Sequence, residues 1–184
     1  MEVERKVKLE GDDLGALRRI LDAEGVDFGP AITQRDVYYK EEGFRTRVQG
    51  VDGYIVRVRH ASSGCSLNLK RLTRDPGVWR EVETAVSDGE AGEAILQAIG
   101  LEHAVTVTKS RQQCHLGRIE VILDEIAELG AYLELAVEGD DLDVAAAKEE
   151  IGEVLDRLGV GRERIEFRGY PTILLEQQGV VFSV

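Results

Sequence analysis

Long apolar runs are missing from this sequence, and so is a charged start followed by an apolar stretch. The first absence excludes a membrane-spanning helix, and the second argues against a secretory signal. Cysteine is almost absent. Cys65 and Cys114 stand far apart with no metal-ligand spacing, which leaves them as reduced thiols on or between strands of a cytoplasmic protein. Positive charge is in deficit, with 23 Lys and Arg against 35 Asp and Glu and a net charge of −12. A nucleic-acid surface needs a basic patch, so no nucleic-acid partner is expected. Only basic residues gathered inside an acidic shell would escape that argument. Lysine is scarcest, six residues against seventeen arginines. No phosphate-binding loop and no Gly-rich loop after a strand is present. His60, His103 and His115 show no metal spacing and read as structural. Trp79 stands alone and reads as a packing residue. No Ser-His-Asp arrangement can be read from spacing.

What is there is a globular composition, 43% hydrophobic and 32% charged over 184 residues, enough for one domain spanning 1–184. Residues 2–10 read as a strand. Gly11-Asp12-Asp13 is a turn able to cap a helix, and Leu14, Leu17, Ile20 and Leu21 follow at helical spacing. Strands are predicted over 32–40, 54–60, 66–72 and 78–86, with local pairing at 44–49 and a hairpin signal at Asp52-Gly53. A helix is expected over 88–100, capped by Ser87 or Asp88, with Ala94, Ile95, Leu96 and Ile99 inside. Residues 103–115 and 117–124 form a hairpin about Leu116-Gly117, and 131–138 is a last long strand. A helix over 142–158 turns Leu142, Ala145, Ile151, Leu155 and Leu158 inward. A short helix, Tyr170 to Gln178, closes the series. Antiparallel pairs interrupted by helices make this α+β.

Side chains alternate between the faces of a strand. Sorted by face, the first strand offers Glu2, Glu4 and Lys6 opposite Val3 and Val7. Later strands offer Arg57 and Arg59, then Lys70, then Glu81 and Glu83. The long hairpin adds Lys109, Arg111, Arg118, Glu120 and Asp124, and the last strand Glu134 and Glu138. The opposite faces are apolar on most of these strands. A sheet this wide tends to curl, and closure removes its edges. The expectation is a closed eight-stranded antiparallel β-barrel with helices packed outside and a charged lumen. Buried charges are costly unless paired or ligating. Such a lumen suits a metal-bound polyphosphate, with Lys and Arg on phosphate oxygens and carboxylates on Mg²⁺ or Mn²⁺.

These residues resemble the signature of the CYTH, or triphosphate tunnel metalloenzyme, superfamily. The opening Glu2-x-Glu4-x-Lys6 is similar to its first strand, and Gln34-Arg35-Asp36-Val37-Tyr38-Tyr39 to a segment of its class IV adenylate cyclase branch. Arg57-Val58-Arg59, Lys70, Glu81-Val82-Glu83, Lys109-Ser110-Arg111 and Leu123-Asp124-Glu125 follow in family order. Leu129 to Glu134 and Gly169 to Leu175 resemble the last strand and the tail of that branch. The resemblance implies that Glu2, Glu4 and Glu134 bind metal, and that Glu4, Lys6 and Asp124 serve catalysis. It implies that Lys6, Arg57, Arg59, Lys70, Lys109 and Arg111 cradle phosphates. Glu81, Glu83, Glu120 and Glu138 are further candidates. One departure stands out: the last strand reads Glu134-Leu135-Ala136 where the family reads Glu-x-Glu. The implied reaction is metal-dependent conversion of ATP to cyclic AMP and pyrophosphate. Hydrolysis of thiamine triphosphate or inorganic triphosphate, and triphosphate binding with little turnover, stand as alternatives. A homodimer is compatible with the sequence, and no membrane partner is expected.

Overall fold

The structure, a computed structural model, describes residues 1–46 and 53–182 of the chain. The hairpin signal at Asp52 and the second half of the pairing expected over 44–49 lie outside the described residues. Phe44–Thr46 form a short 3-10 turn.

Two compact units divide the chain, one of Met1–Ile32 with Lys109–Phe167, the other of Thr33–Thr108 with Arg168–Val184. In the first unit, β1 (Glu2–Lys8), β7 (Ile119–Ile126), β8 (Gly130–Glu138) and β9 (Ile165–Glu166) carry the sheet, with α1 (Asp13–Ala23) and α3 (Val144–Arg157) packed on it. The end of β6 (Leu101–Leu116) gives this sheet the order β6-β7-β8-β1-β9. The register is antiparallel and in phase: Lys6 faces Glu134 and Val7 faces Leu133, while Leu123 faces Leu133 in turn.

Parity explains the core. Val3 and Val7, Leu133, Leu135 and Val137, and Val121 and Leu123 point to one side and are all nearly fully buried, with Leu17, Leu21, Ile151 and Leu155 of the helices. At about 25 cal/mol per Å² of apolar surface, such side chains contribute about 1.5–3 kcal/mol each. Arg5 also lies on this apolar side and is buried; its guanidinium donates to the Glu4 carbonyl at 2.8 Å and lies over the Phe167 ring, 5.2 Å from the centroid. Within α3, Ala147 rather than the expected Ala145 is buried. The helix starts at Val144 with Asp143 accepting from the Ala146 amide, and Ile151, Leu155 and Leu158 face inward as expected. At α1, Asp12 makes no capping hydrogen bond; Asp13 accepts from the Glu10 amide instead and tightens the turn before the helix.

In the second unit, β2 (Ile32–Glu41), β3 (Tyr54–Ala61), β4 (Gly64–Leu72), β5 (Val78–Val86) and the start of β6 run in the order β5-β4-β3-β2-β6. This unit also holds α2 (Gly89–Ala98) and α4 (Tyr170–Gln177). Val37, Tyr39, Val56, Val58 and Leu96 form its apolar cluster. Here the expected inner face of α2 is corrected: Ile95 and Ile99 are 62% and 70% exposed, and only Leu96 of the large residues is buried. α2 meets the sheet through a narrow stripe, because Glu93 and Gln97 take the adjoining positions with hydrogen bonds to Tyr39. No helix among the described residues is long and apolar enough to cross a membrane.

Candidate functional site

Each unit has a charged face opposite its apolar one. In the first unit, the rows in register across β1, β8 and β7 are Glu4, Ala136 and Glu120, then Lys6, Glu134 and Ile122, then Lys8, Tyr132 and Asp124. Arg111 of β6 lies opposite Asp124, and Glu2 lies opposite Glu138. Glu2, Glu4, Lys6, Lys109, Asp124 and Glu134 are all buried.

Lys6 ties this face together. Its ammonium pairs with Glu4 and, at 3.2 Å, with Glu134. Burial by itself lowers a lysine pKa; here the charges of Glu4 and Glu134 outweigh it and hold Lys6 above its ordinary value, as a cation. Asp124 is fully buried, and Arg111 grips both its oxygens at 2.7 and 2.6 Å while Lys109 approaches to 3.3 Å. Burial raises its pKa, but Lys109 and Arg111 overcome that and hold the carboxyl below its usual range. Arg111 also reaches Glu134 at 3.4 Å. Among the described residues seven carboxylates share this face (Glu2, Glu4, Glu120, Asp124, Glu134, Glu138 and Glu166) with four cations, Lys6, Lys8, Lys109 and Arg111. The buried carboxylates among them, Glu2, Glu4, Asp124 and Glu134, are hard oxygen donors of the kind a divalent cation takes.

The second unit repeats the design. Arg59 grips the wholly buried Asp36 at 2.7 and 2.8 Å, and Arg57 lies 3.8 Å from the same carboxylate. Arg57 also reaches Glu83 at 3.3 Å and Glu81 at 3.8 Å, and Lys70 pairs with Glu81 at 2.9 Å. Asn68, buried between them, donates to Glu81 and Glu83. Burial pushes the Glu83 carboxyl up, but the Ser66 hydroxyl and the Arg57 and Arg59 charges bring it below its ordinary value. The Tyr38 phenol is raised, by burial first and by Asp36 second.

Most of the expected residues therefore lie on charged faces, with three differences. Arg118 sits in the turn before β7, half-exposed, and pairs with Glu150 at 2.6 Å. It is not part of the face. Glu138, at the end of β8, is exposed, and the Glu83 side chain is 41% exposed. On the charged faces three buried polar residues were missed, Asp36, Asn68 and Lys40, besides Arg5 on the apolar side. The signal for Asp36 and Lys40 was present, since both share the parity of Tyr38 on β2, which lies opposite Arg57.

A face of buried lysines, arginines and carboxylates on antiparallel strands defines an anion- and metal-binding class of site. Residues 1–170 match the CYTH domain model, and the chain belongs to the CYTH domain family. Among curated proteins it is 25% identical over 175 residues to a Methanocaldococcus jannaschii protein named a "putative adenylate cyclase", covering 92% of this chain and 96% of that one. It is 24% identical over 137 residues to the adenylate cyclase CyaB of Aeromonas hydrophila, covering 68% and 72% of the two chains. Among solved structures, a Pyrococcus horikoshii protein superposes with a TM-score of 0.80 at 22% identity, covering 94% and 98%. A Hippeastrum protein described as a "putative adenylyl cyclase" with a dominant triphosphatase activity gives 0.64 at 16% identity, covering 98% and 97%. These likenesses show the fold expected from the sequence, α+β with a closed eight-stranded antiparallel β-barrel and helices outside.

Proposed function

We propose that this protein is a divalent-metal-dependent enzyme acting on a nucleoside triphosphate, and that its reaction is the conversion of ATP to cyclic AMP and pyrophosphate. The observation that carries the reading is the set of buried or partly buried cations each held by carboxylates: Lys6 by Glu4 and Glu134, Lys109 and Arg111 by Asp124, Arg59 by Asp36. Cations oriented this way stay charged and keep donors available for phosphate oxygens. The reading treats residues 1–184 as one functional domain.

Lys6, Arg57, Arg59, Lys70, Lys109 and Arg111 bind the triphosphate. Glu2, Glu4 and Glu134 hold Mg²⁺ or Mn²⁺, which when bound neutralises charge on the phosphates. Glu4 and Lys6 stand nearest the chemistry. Asp124 acts through Lys109 and Arg111, whose side chains it orients. In the cyclase reaction the ribose 3′-hydroxyl attacks the α-phosphorus, the bond to the β-phosphate oxygen breaks, and pyrophosphate leaves as the hydroxyl proton passes to solvent. The names of the two curated relatives support this branch.

A second reading is a triphosphatase, in which water attacks the terminal phosphorus, the bond to the bridging oxygen breaks, and the diphosphate leaves as orthophosphate forms. It is favoured by the description of the Hippeastrum neighbour, and the same phosphate-binding residues serve it. Incubation with ATP and with tripolyphosphate, in Mg²⁺ or Mn²⁺, separates the readings by product. Cyclic AMP and pyrophosphate in equal amounts support the cyclase. Orthophosphate from either substrate, without cyclic AMP, replaces it with the triphosphatase. Tight binding without product leaves a triphosphate-binding module.

A further inference from the structure

On the apolar side of the second unit, where α2 packs, three side chains form a row that the triphosphate chemistry does not use. His60 near the end of β3 and Cys65 at the start of β4 are cross-strand partners. The Cys65 sulfur lies 3.7 Å from His60 Nδ1, and the other ring nitrogen, Nε2, lies 2.7 Å from Glu93 Oε1 of α2. The second Glu93 oxygen accepts from the Tyr39 phenol at 2.6 Å, and Arg35 approaches the first at 3.5 Å. Burial raises the Glu93 carboxyl, but the Tyr39 and His60 hydrogen bonds and the Arg35 charge bring it below its ordinary value. An ionised carboxylate only accepts hydrogen bonds, so in the neutral imidazole Nε2 carries the proton and Nδ1 turns its lone pair to the thiol.

The helix start walls this pair closely. A Cβ at Gly89 would stand 2.5 Å from His60 Cε1, 2.9 Å from its Nδ1 and 3.1 Å from Cys65 Sγ, so the first residue of α2 has to be glycine for the three groups to meet. The turn joining the two strands, Ser62 to Gly64, is exposed, and Cys65 and His60 are themselves partly exposed. Cys114 is the contrast: it is buried, and burial pushes its thiol up. A thiol reacts as its thiolate, and a base beside it that a carboxylate holds in place supplies that form as the sulfur attacks.

We propose that Cys65 is a modification site for low-molecular-weight disulfides, with His60 as the base on its thiol and Glu93 as the residue that positions the ring. The thiol proton passes to His60 Nδ1 as Sγ attacks one sulfur of the disulfide. The S–S bond breaks, the leaving thiolate takes that proton, and the protein keeps a mixed disulfide at Cys65. No oxidant beyond the disulfide is needed.

The test incubates the full chain with oxidised glutathione and follows the mixed disulfide at each cysteine by peptide mass spectrometry, on the parent, H60N and E93Q. Circular dichroism melts establish that each is folded. Cys65 is modified in the native parent, and Cys114 only after denaturation. A free thiol is only a few per cent thiolate at about pH 7, so H60N slows the reaction there by roughly 5–30-fold, and E93Q by a smaller factor. At about pH 9.5, above the ordinary thiol value, no base is needed and the three rates converge. A folded parent in which Cys65 reacts no faster than Cys114 overturns the site. Variants that react as the parent does at neutral pH overturn the role of His60 and Glu93. Slowing by the same factor at both pH values shows a packing effect and overturns it equally. E93Q carries the same test if H60N does not fold. None of these outcomes bears on the triphosphate reading.

Discussion

Asp36 is buried completely and is held by both arms of Arg59, with Arg57 nearby. Cations proposed to bind substrate are therefore also partners of buried carboxylates. Removing one partner of such a pair leaves an uncompensated charge, at a cost of about 3–5 kcal/mol. Arg59→Ala is thus expected to lower stability as well as triphosphate affinity, and Lys6→Ala to do the same through Glu4 and Glu134. Adding Asp36→Asn to Arg59→Ala should recover much of the stability and none of the affinity. Urea midpoints together with calorimetric titration of tripolyphosphate separate the two effects; an Arg59→Ala variant as stable as the parent would sink the pairing argument. Tyr39 tests a second buried group. Burial first, and then the hydrogen bond it donates to Glu93 at 2.6 Å, push its phenol up to about 12. A folded value above the unfolded one, about 10, means that protonated Tyr39 stabilises the fold below pH 10. That contribution fades as pH rises through about 12. Difference absorbance titration of the parent against Tyr39→Phe should show one tyrosine ionising near that upper value. A normal titration for it would refute the assignment.

The helix α2 shows how an element can be correctly placed and wrongly faced. Its start is specified locally: Asp88 accepts from the Ala91 amide, a cap whose loss costs about 1 kcal/mol. Gly89 follows where a Cβ would meet His60 Cε1 at 2.5 Å and Cys65 Sγ at 3.1 Å, so the helix begins closer to the sheet than any other residue allows. His60 in turn meets Glu93 at 2.7 Å, and Arg35 approaches the same carboxylate at 3.5 Å. These polar contacts rotate Ile95 and Ile99 outward and leave Leu96 as the apolar anchor. Leu96→Ala is expected to cost about 2–5 kcal/mol, whereas Ile99→Ser should change stability by less than about 0.5 kcal/mol. Equal losses in urea unfolding would restore the face expected from the apolar pattern.

At the scale of the whole molecule, a chain of net charge −12 is proposed to take up a polyanion. The cations that make this feasible are few and sequestered among carboxylates, and metal would offset the remaining repulsion. Ligand binding to the folded state alone then raises thermal stability by mass action. Tripolyphosphate with Mn²⁺, at about a hundred times the dissociation constant, adds about 2.7 kcal/mol. At roughly 2–4 °C per kcal/mol for a chain of this size, Tm should rise by roughly 5–11 °C. Tripolyphosphate with a chelator should give much less. Equal shifts with and without metal would separate triphosphate binding from the metal.

The sequence by itself determined which residues share a strand face, because alternation is a property of the covalent backbone and needs no partner. That is why Glu2, Glu4, Lys6, Lys109, Asp124 and Glu134 were found as a buried charged set, and why parity would also have found Asp36 and Lys40. The order of these motifs along the chain was enough for the family. What only the tertiary structure decided is who faces whom: Arg111 with Asp124, Arg59 with Asp36, Glu120 and Glu4 across Ala136. Each such pairing follows from the hydrogen-bond register between strands, whether consecutive or, as for β1 and β8, far apart in the chain, and a shift of two residues would keep every side chain on its face while changing all of its neighbours. Arg5, buried on the apolar side beside Phe167, was illegible for the same reason: its partner comes from the far end of the sequence.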